Sequence, residues 1–154
     1  MQIRAHVENR SNQHNVTLET NGHRHTIAIP PKPAGFGSSV NGGELLALAL
    51  ATCYCNDIYR EAAAQNITVQ GVEVTVDAEF GGAGEPARRI RYSARVISDA
   101  PDYVIRDLLE HTDRVAEVQN TLRGGIEVEL EGVDVMAPDA GRESQASIPL
   151  RITP

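Results

Sequence analysis

Tryptophan is absent from the chain, and aromatic residues make up only 4% of its 154 positions. The core must therefore be assembled from Val, Ile, Leu and Ala. A platform for stacking nucleotide bases has little to be built from. Positive charge is also short: 14 Lys and Arg stand against 21 Asp and Glu, a net −7 that repels a phosphate backbone. Nucleic acid is accordingly not an expected partner. No apolar run approaches the roughly 18 residues of a membrane span. The opening MQIRAHVENR has no apolar centre of the kind that marks a signal peptide. The expectation is a soluble, cytoplasmic protein that does not engage membranes. Cysteine occurs only at Cys53 and Cys55. Two thiols one residue apart do not make the disulfide framework of a small secreted domain.

What is present points to one α+β domain. Apolar residues reach 41%, within the globular range. IRAHVEN, NVTLET and HRHTIAI read as three short strands, with Asn21-Gly22 as a hairpin turn between the last two. PPKPAGFGSSVNGG, residues 30–43, is a loop long enough to be considered for function. ITVQGVEVTVDAEF and ARRIRYSARVI alternate, one with acidic and the other with basic residues on its polar face. A hairpin with a solvated, charge-matched face explains those arginines without a ligand. From Asp102 to about Leu122 the apolar residues recur at helical spacing, and IEVELEGVDV follows as a further strand. Residues 1–135 form the expected domain. Residues 136–154 form a polar tail, read either as a mobile arm or, through SIPLRI, as an edge strand.

The segment ELLALALATCYCNDIYREAA, residues 44–63, is the feature that bears on function. It reads as a helix that is apolar on every side for about three turns and becomes polar after Asn56, with Asp57, Arg60 and Glu61. A chain this short cannot cover such a helix alone, so a second copy is expected to do so. Residues two apart on a helix point about 200° from one another. Cys53 and Cys55 therefore cannot form a relaxed disulfide with each other or share one metal ion. His23 and His25 lie on one strand face and could share a metal, but an exposed strand carrying two histidines is the simpler reading. No metal site is expected from these residues. A buried cysteine is usually a small apolar residue, whereas a reactive one needs a cation or base to expose its thiolate. Both readings stand at this level.

The Gly/Pro-rich loop followed by NGGELLALALATC, a polar helix end and a long hairpin resembles the OsmC/Ohr family, the osmotically induced and organic hydroperoxide resistance proteins. NTLRGGIEVEL is similar to a later segment of that family. The resemblance spans roughly residues 1–135. It implies an OsmC-like fold with antiparallel sheets wrapped around a central helix, an intertwined homodimer, and sites at the subunit interface. It also implies reduction of organic hydroperoxides by paired cysteines without a metal or organic cofactor, with an arginine stabilising the first thiolate and a glutamate holding that arginine. On this resemblance the reactive cysteine falls on Cys53. The arginine falls on Arg10, with Arg4 or Arg24 as alternatives. The glutamate falls on Gly43 and the second cysteine on Ala116, so both are missing here. Glu44 lies about 100° away around the helix from the glutamate position. The expected function is a thiol-dependent hydroperoxide reductase using Cys53 with an external thiol as reductant. The alternative is a non-enzymatic member of the fold that binds a small apolar ligand at the dimer interface.

Overall fold

A computed structural model describes residues 1–135. The tail expectations, including the SIPLRI strand, lie outside the described residues. Strands β1 (Ile3–Arg10), β2 (Gln13–Thr20) and β3 (His23–Thr26) form an antiparallel meander. Asn21 and Gly22 both have positive φ, 49° and 85°, which is the backbone a two-residue hairpin turn requires. β3 is shorter than its alternation implied. The chain leaves the sheet after Thr26, and Ile29 is buried just before Pro30 and Pro31. The loop that follows folds on itself through Lys32 N–H→Gly37 O and Ser39 N–H→Pro30 O. It is tied to the meander by Asn12 N–H→Gly35 O and Gly37 N–H→Asn9 Oδ1.

Helix α1 runs from Gly42 to Ala64. Asn41 caps it by accepting from the Glu44 amide at 3.0 Å, while the Glu44 carboxylate accepts from the Asn41 amide at 2.7 Å. This reciprocal box satisfies two backbone donors that the helix cannot. At the far end Asn66 turns into the left-handed region, φ 57°, and stops the helix. Strands β4 (Gly71–Phe80) and β5 (Ala87–Ile97) form the long hairpin. Acidic residues oppose basic ones, Glu73 facing Arg95 and Asp77 facing Arg91. Val72, Val74, Tyr92, Ala94 and Val96 turn inward onto α1.

The expected single helix after Pro101 is two helices, α2 (Asp102–Val115) and α3 (Glu117–Gly124), separated at Ala116, whose ψ of 114° is extended. Neither Pro nor Gly marks the break. Side chains of α3 instead take over the carbonyls that the bend frees. Asn120 Nδ2 donates to Arg114 O at 2.9 Å, and Arg123 Nη1 donates to Asp113 O at 2.9 Å. Arg123 also grips the Asp113 carboxylate, which accepts from the Tyr92 hydroxyl of β5 as well. The core gathers Tyr54, Ile58 and Ala62 of α1 with Leu108 of α2 and the bend residue Ala116. Tyr54 donates to Leu109 O at 2.8 Å and meets Tyr92 edge-on, with ring centres 4.9 Å apart.

IEVELEGVDV does not form a strand. A strand needs a neighbour for its backbone N–H and C=O groups, and no described strand borders it. Ile126, Val128 and Leu130, which alternation would place on one face of such a strand, are exposed. The buried-helix expectation holds on one side of α1 within this chain. Leu50, Tyr54, Ile58 and Ala62 are covered, whereas Leu48, Ala49 and Thr52 are open.

Leu108 has no solvent exposure, so Leu108→Ala should cost about 2–5 kcal/mol in urea unfolding. Burial, reinforced by the neighbouring tyrosine and Asp113, pushes Tyr54 from 10.0 up to about 12. Burial and the hydrogen bond to Asp113 push Tyr92 to about 12 as well. Because the folded value lies above the unfolded one, the stability these groups add is complete below about pH 10 and is lost as the pH rises through about 12. Tyrosinate absorbance of the folded protein should show a late phase that the urea-unfolded chain lacks. A single phase shared by both states would contradict this.

Candidate functional site

Cys53 is partly buried, in the middle of α1 on the side facing α3. One turn further along the same helix is Asp57, whose side chain is only 6% exposed. Residues four apart share a helix face, and here the Cys53 Sγ–H donates to Asp57 Oδ2 at 3.3 Å. The second carboxylate oxygen, Oδ1, accepts from Arg60 Nη1 at 2.8 Å. Arg60 also reaches Glu117 Oε1 at 3.1 Å and Glu61 Oε1 at 2.9 Å, and His111 contacts the other oxygen of Glu61. The bend at Ala116 supplies the far wall, because Glu117 and Val118 are the first two residues of α3.

The electrostatics of the sulfur follow from these neighbours. Burial raises the Cys53 pKa, and the negative charges of Asp57 and Glu117 raise it further. The backbone N–H of Val118 works the other way without reversing the shift. Asp57 is also raised, first by burial and then by Glu117, while its bonds to Cys53 and Arg60 oppose the change. Glu117 is lowered, first by a backbone N–H at the start of α3 and then by Arg60. The two carboxylates are thus shifted in opposite directions.

Cys53 Sγ and carboxylate oxygens of Asp57 and Glu117 lie within 4.8 Å of one another, a donor set that could hold a metal ion. The Arg60 guanidinium already bridges the two carboxylates, so the chain itself supplies a cation to the cluster. His23 and His25 lie exposed on the short β3.

The site differs from the sequence expectation in several residues. Within one chain Arg10 is not brought to Cys53. It lies at the exposed end of β1, paired with Glu8 at 3.1 Å. Arg24 is paired with Glu19 at 2.6 Å. The cation beside the Cys53 cluster is Arg60, read from sequence only as part of the polar helix end. Asp57 was read in the same way and is instead buried. Its signal was its place four residues after Cys53, followed three residues later by an arginine. Glu44 is committed to the helix cap. At Gly43 a Cβ would stand 2.9 Å from the Phe80 ring, so the Phe80 ring takes up the space a glutamate side chain would need. Ala116 is fully buried at the bend, immediately before the residues that face Cys53. Cys55 is partly buried and, like Cys53, is a free thiol.

A groove of about 320 Å³ lies beside this region, lined by Leu50, Ile90, Tyr92, Leu122, Arg89 and Gln119 among others. Gln119 Nε2 donates to Leu50 O at 3.1 Å, and its buried Oε1 has no partner among the described residues. Among the described residues no helix is long and apolar enough to cross a membrane.

No curated protein matches the chain significantly. Solved structures do. An OsmC-like protein from Mycoplasma pneumoniae is 19% identical with a TM-score of 0.56, over 79% of this chain and 89% of that one. An OsmC-like protein of unknown function from Vibrio cholerae is 16% identical with a TM-score of 0.53, over 79% and 93%. An organic hydroperoxide resistance protein from Legionella pneumophila is 20% identical with a TM-score of 0.50, over 80% and 93%. These likenesses establish the fold: antiparallel sheets around a central helix. The family model described as OsmC-like protein matches residues 35–131, most of the described domain, and on that match the chain belongs to the OsmC-like family.

Proposed function

We propose that the chain is a cysteine-based reductase of small organic hydroperoxides that works through Cys53 and is regenerated by an external thiol. The observation that carries this reading is the Cys53 Sγ–H directed at a buried carboxylate, with Arg60 fixing the other oxygen. The sulfur attacks the distal peroxide oxygen. The O–O bond breaks, sulfur is oxidised by two electrons to a sulfenic acid, and the alkoxide takes a proton and leaves as an alcohol. No second cysteine stands at position 116, so the sulfenic acid condenses with an external thiol, releasing water. A second external thiol then cleaves that mixed disulfide and restores Cys53. A Legionella pneumophila structure of the same fold is named an organic hydroperoxide resistance protein, which is consistent with this substrate class.

A second reading keeps the fold and drops the chemistry: a protein that binds a small apolar molecule. The raised thiol pKa of Cys53 favours it. So does the groove beside Gln119, whose volume of about 320 Å³ is at the small end of ligand sites.

Either reading is proposed for a homodimer. The open side of α1 around Leu48 and the exposed Ile126, Val128 and Leu130 are apolar surface that a second copy would cover, and the backbone of 126–130 lacks the strand neighbour it needs. Arg10 is proposed to reach a Cys53 only across such a dimer.

With a small dithiol as reductant, wild type should consume cumene hydroperoxide, Cys55→Ser should retain that activity, and Cys53→Ser should fall to the buffer rate. Equal rates for wild type and Cys53→Ser would leave only the binding reading. Sedimentation in dilute solution should give twice the chain mass of 16.6 kDa; a lone monomer would remove the dimer.

A further inference from the structure

We infer that Asp57 is the proton shuttle of the Cys53 reaction, accepting the thiol proton along the Cys53–Asp57 hydrogen bond and returning it to the leaving alkoxide, with Arg60 as the residue that positions the carboxylate. The return step rests on the hydroperoxide reading above; the acceptance step does not.

The geometry has three parts. The donor and acceptor are already in contact, Sγ to Oδ2 at 3.3 Å, and both are fixed on one rigid helix a single turn apart. The carboxylate is buried, so water does not compete for its oxygens, and its orientation is set by the Arg60 bond to Oδ1. Arg60 is itself held by Glu61 and Glu117, which keeps the guanidinium from following the sulfur. The groups facing the pair are Arg60 on α1 together with Glu117 and the Val118 amide on α3.

This arrangement resolves a conflict in the site. A thiol whose pKa is raised by burial and by two carboxylates holds little thiolate at neutral pH. A resting thiolate is unnecessary if the proton leaves as the sulfur attacks. Asp57, with its own pKa raised by burial, is a stronger base than an ordinary aspartate and a competent acid once protonated. In the hydroperoxide reaction the S–H proton moves to Asp57 Oδ2, sulfur bonds to the distal oxygen, the O–O bond breaks, and the Asp57 proton passes to the alkoxide. Sulfur gains the distal oxygen with its hydrogen, the alcohol departs, and Asp57 ends as it began.

The test reads Cys53 alone, by iodoacetamide alkylation across pH in a Cys55→Ser background. There the S–C bond forms, iodide leaves, and the proton goes to Asp57. With the shuttle, the rate rises once as Asp57 ionises, holds a plateau through neutral pH, and rises again as the thiol ionises. Asp57→Asn should abolish the plateau, so that the rate falls about tenfold per pH unit below the thiol pKa, the ordinary behaviour of an unassisted thiolate. It should also move the remaining step to lower pH, because a negative neighbour is gone. Arg60→Gln lies on a half-exposed side chain and tests the same point should Asp57→Asn fail to fold. Arg60 lowers the Asp57 pKa, so its loss should shift the onset of the plateau to higher pH. A wild-type profile with one step and no plateau would overturn the shuttle, as would an onset unmoved by Arg60→Gln. Cys53-dependent hydroperoxide turnover with no plateau would reject Asp57 while leaving the function intact. A plateau without turnover would support Asp57 as proton acceptor and remove hydroperoxides as the substrate.

Discussion

The bend at Ala116 is the constraint on which the site depends. An unbroken helix after Pro101 would carry Glu117 and Val118 around its axis by about 100° per residue and leave Cys53 facing whatever side chains that rotation presented. The extended residue resets the direction, so that α3 begins against the middle of α1. Arg123 and Asn120 make the bend tolerable by occupying the carbonyls it frees. Arg123 ties it to the sheet through Asp113 and Tyr92. One cluster thus links β5, α2 and α3, and its floor is the aromatic pair of Tyr54 from α1 and Tyr92 from β5. The sulfur's surroundings are fixed from a distance by contacts that never touch it.

Those surroundings carry two neighbouring acids and one cation shared between them. A positive charge against the sulfur would stabilise a free thiolate. Here the Arg60 guanidinium is spent on Asp57, Glu117 and Glu61, and the sulfur meets a carboxylate instead. Position sets Asp57 and Glu117 apart. Glu117 sits at the start of a helix, where backbone N–H groups favour a negative charge and hold its pKa down. Asp57 is buried, which pushes its pKa up. Asymmetry between two adjacent carboxylates is the usual means by which one of them becomes useful for proton transfer.

The parts of the fold that were legible in the sequence are those set by local chemistry. Asn21-Gly22 marked its hairpin because few other residues accept positive φ at both turn positions. The acidic and basic faces of β4 and β5 announced their pairing. Leu45 to Cys55, apolar on all sides, announced the central helix, one side of which is buried within this chain. What the sequence concealed depends on tertiary partners. Nothing in VAEVQN marks a break, since Ala116 is the best of helix formers; the carbonyl acceptance by Asn120 and Arg123 appears only when the chain is folded. IEVELEGVDV alternates as a strand does, yet alternation states only which side chains share a face and supplies no neighbour to bond. Asp57 was concealed by its type. A charged residue at the polar end of a helix is ordinarily solvated, and only the approach of α3 turns that position inward.

The missing glutamate of the family-like catalytic pattern has a physical sense in this fold. Phe80 stands where a side chain at position 43 would project, and the capping box already claims Glu44. A glutamate in the first turn of α1 would have to displace the Phe80 ring. The chain carries a different carboxylate–arginine pair one turn after the cysteine, on the helix itself. A cation borne on a separate element, as Arg10 is on β1, can shift against α1, whereas Asp57 and Arg60 move only as α1 moves. The helix-borne pair also reverses the electrostatic sense. A cation lowers the thiol pKa and leaves the sulfur exposed to any oxidant at all times. A carboxylate raises it and favours the protonated sulfur. On the shuttle proposed above, the proton leaves along the hydrogen bond already formed, and selectivity would reside in access to this single face of α1.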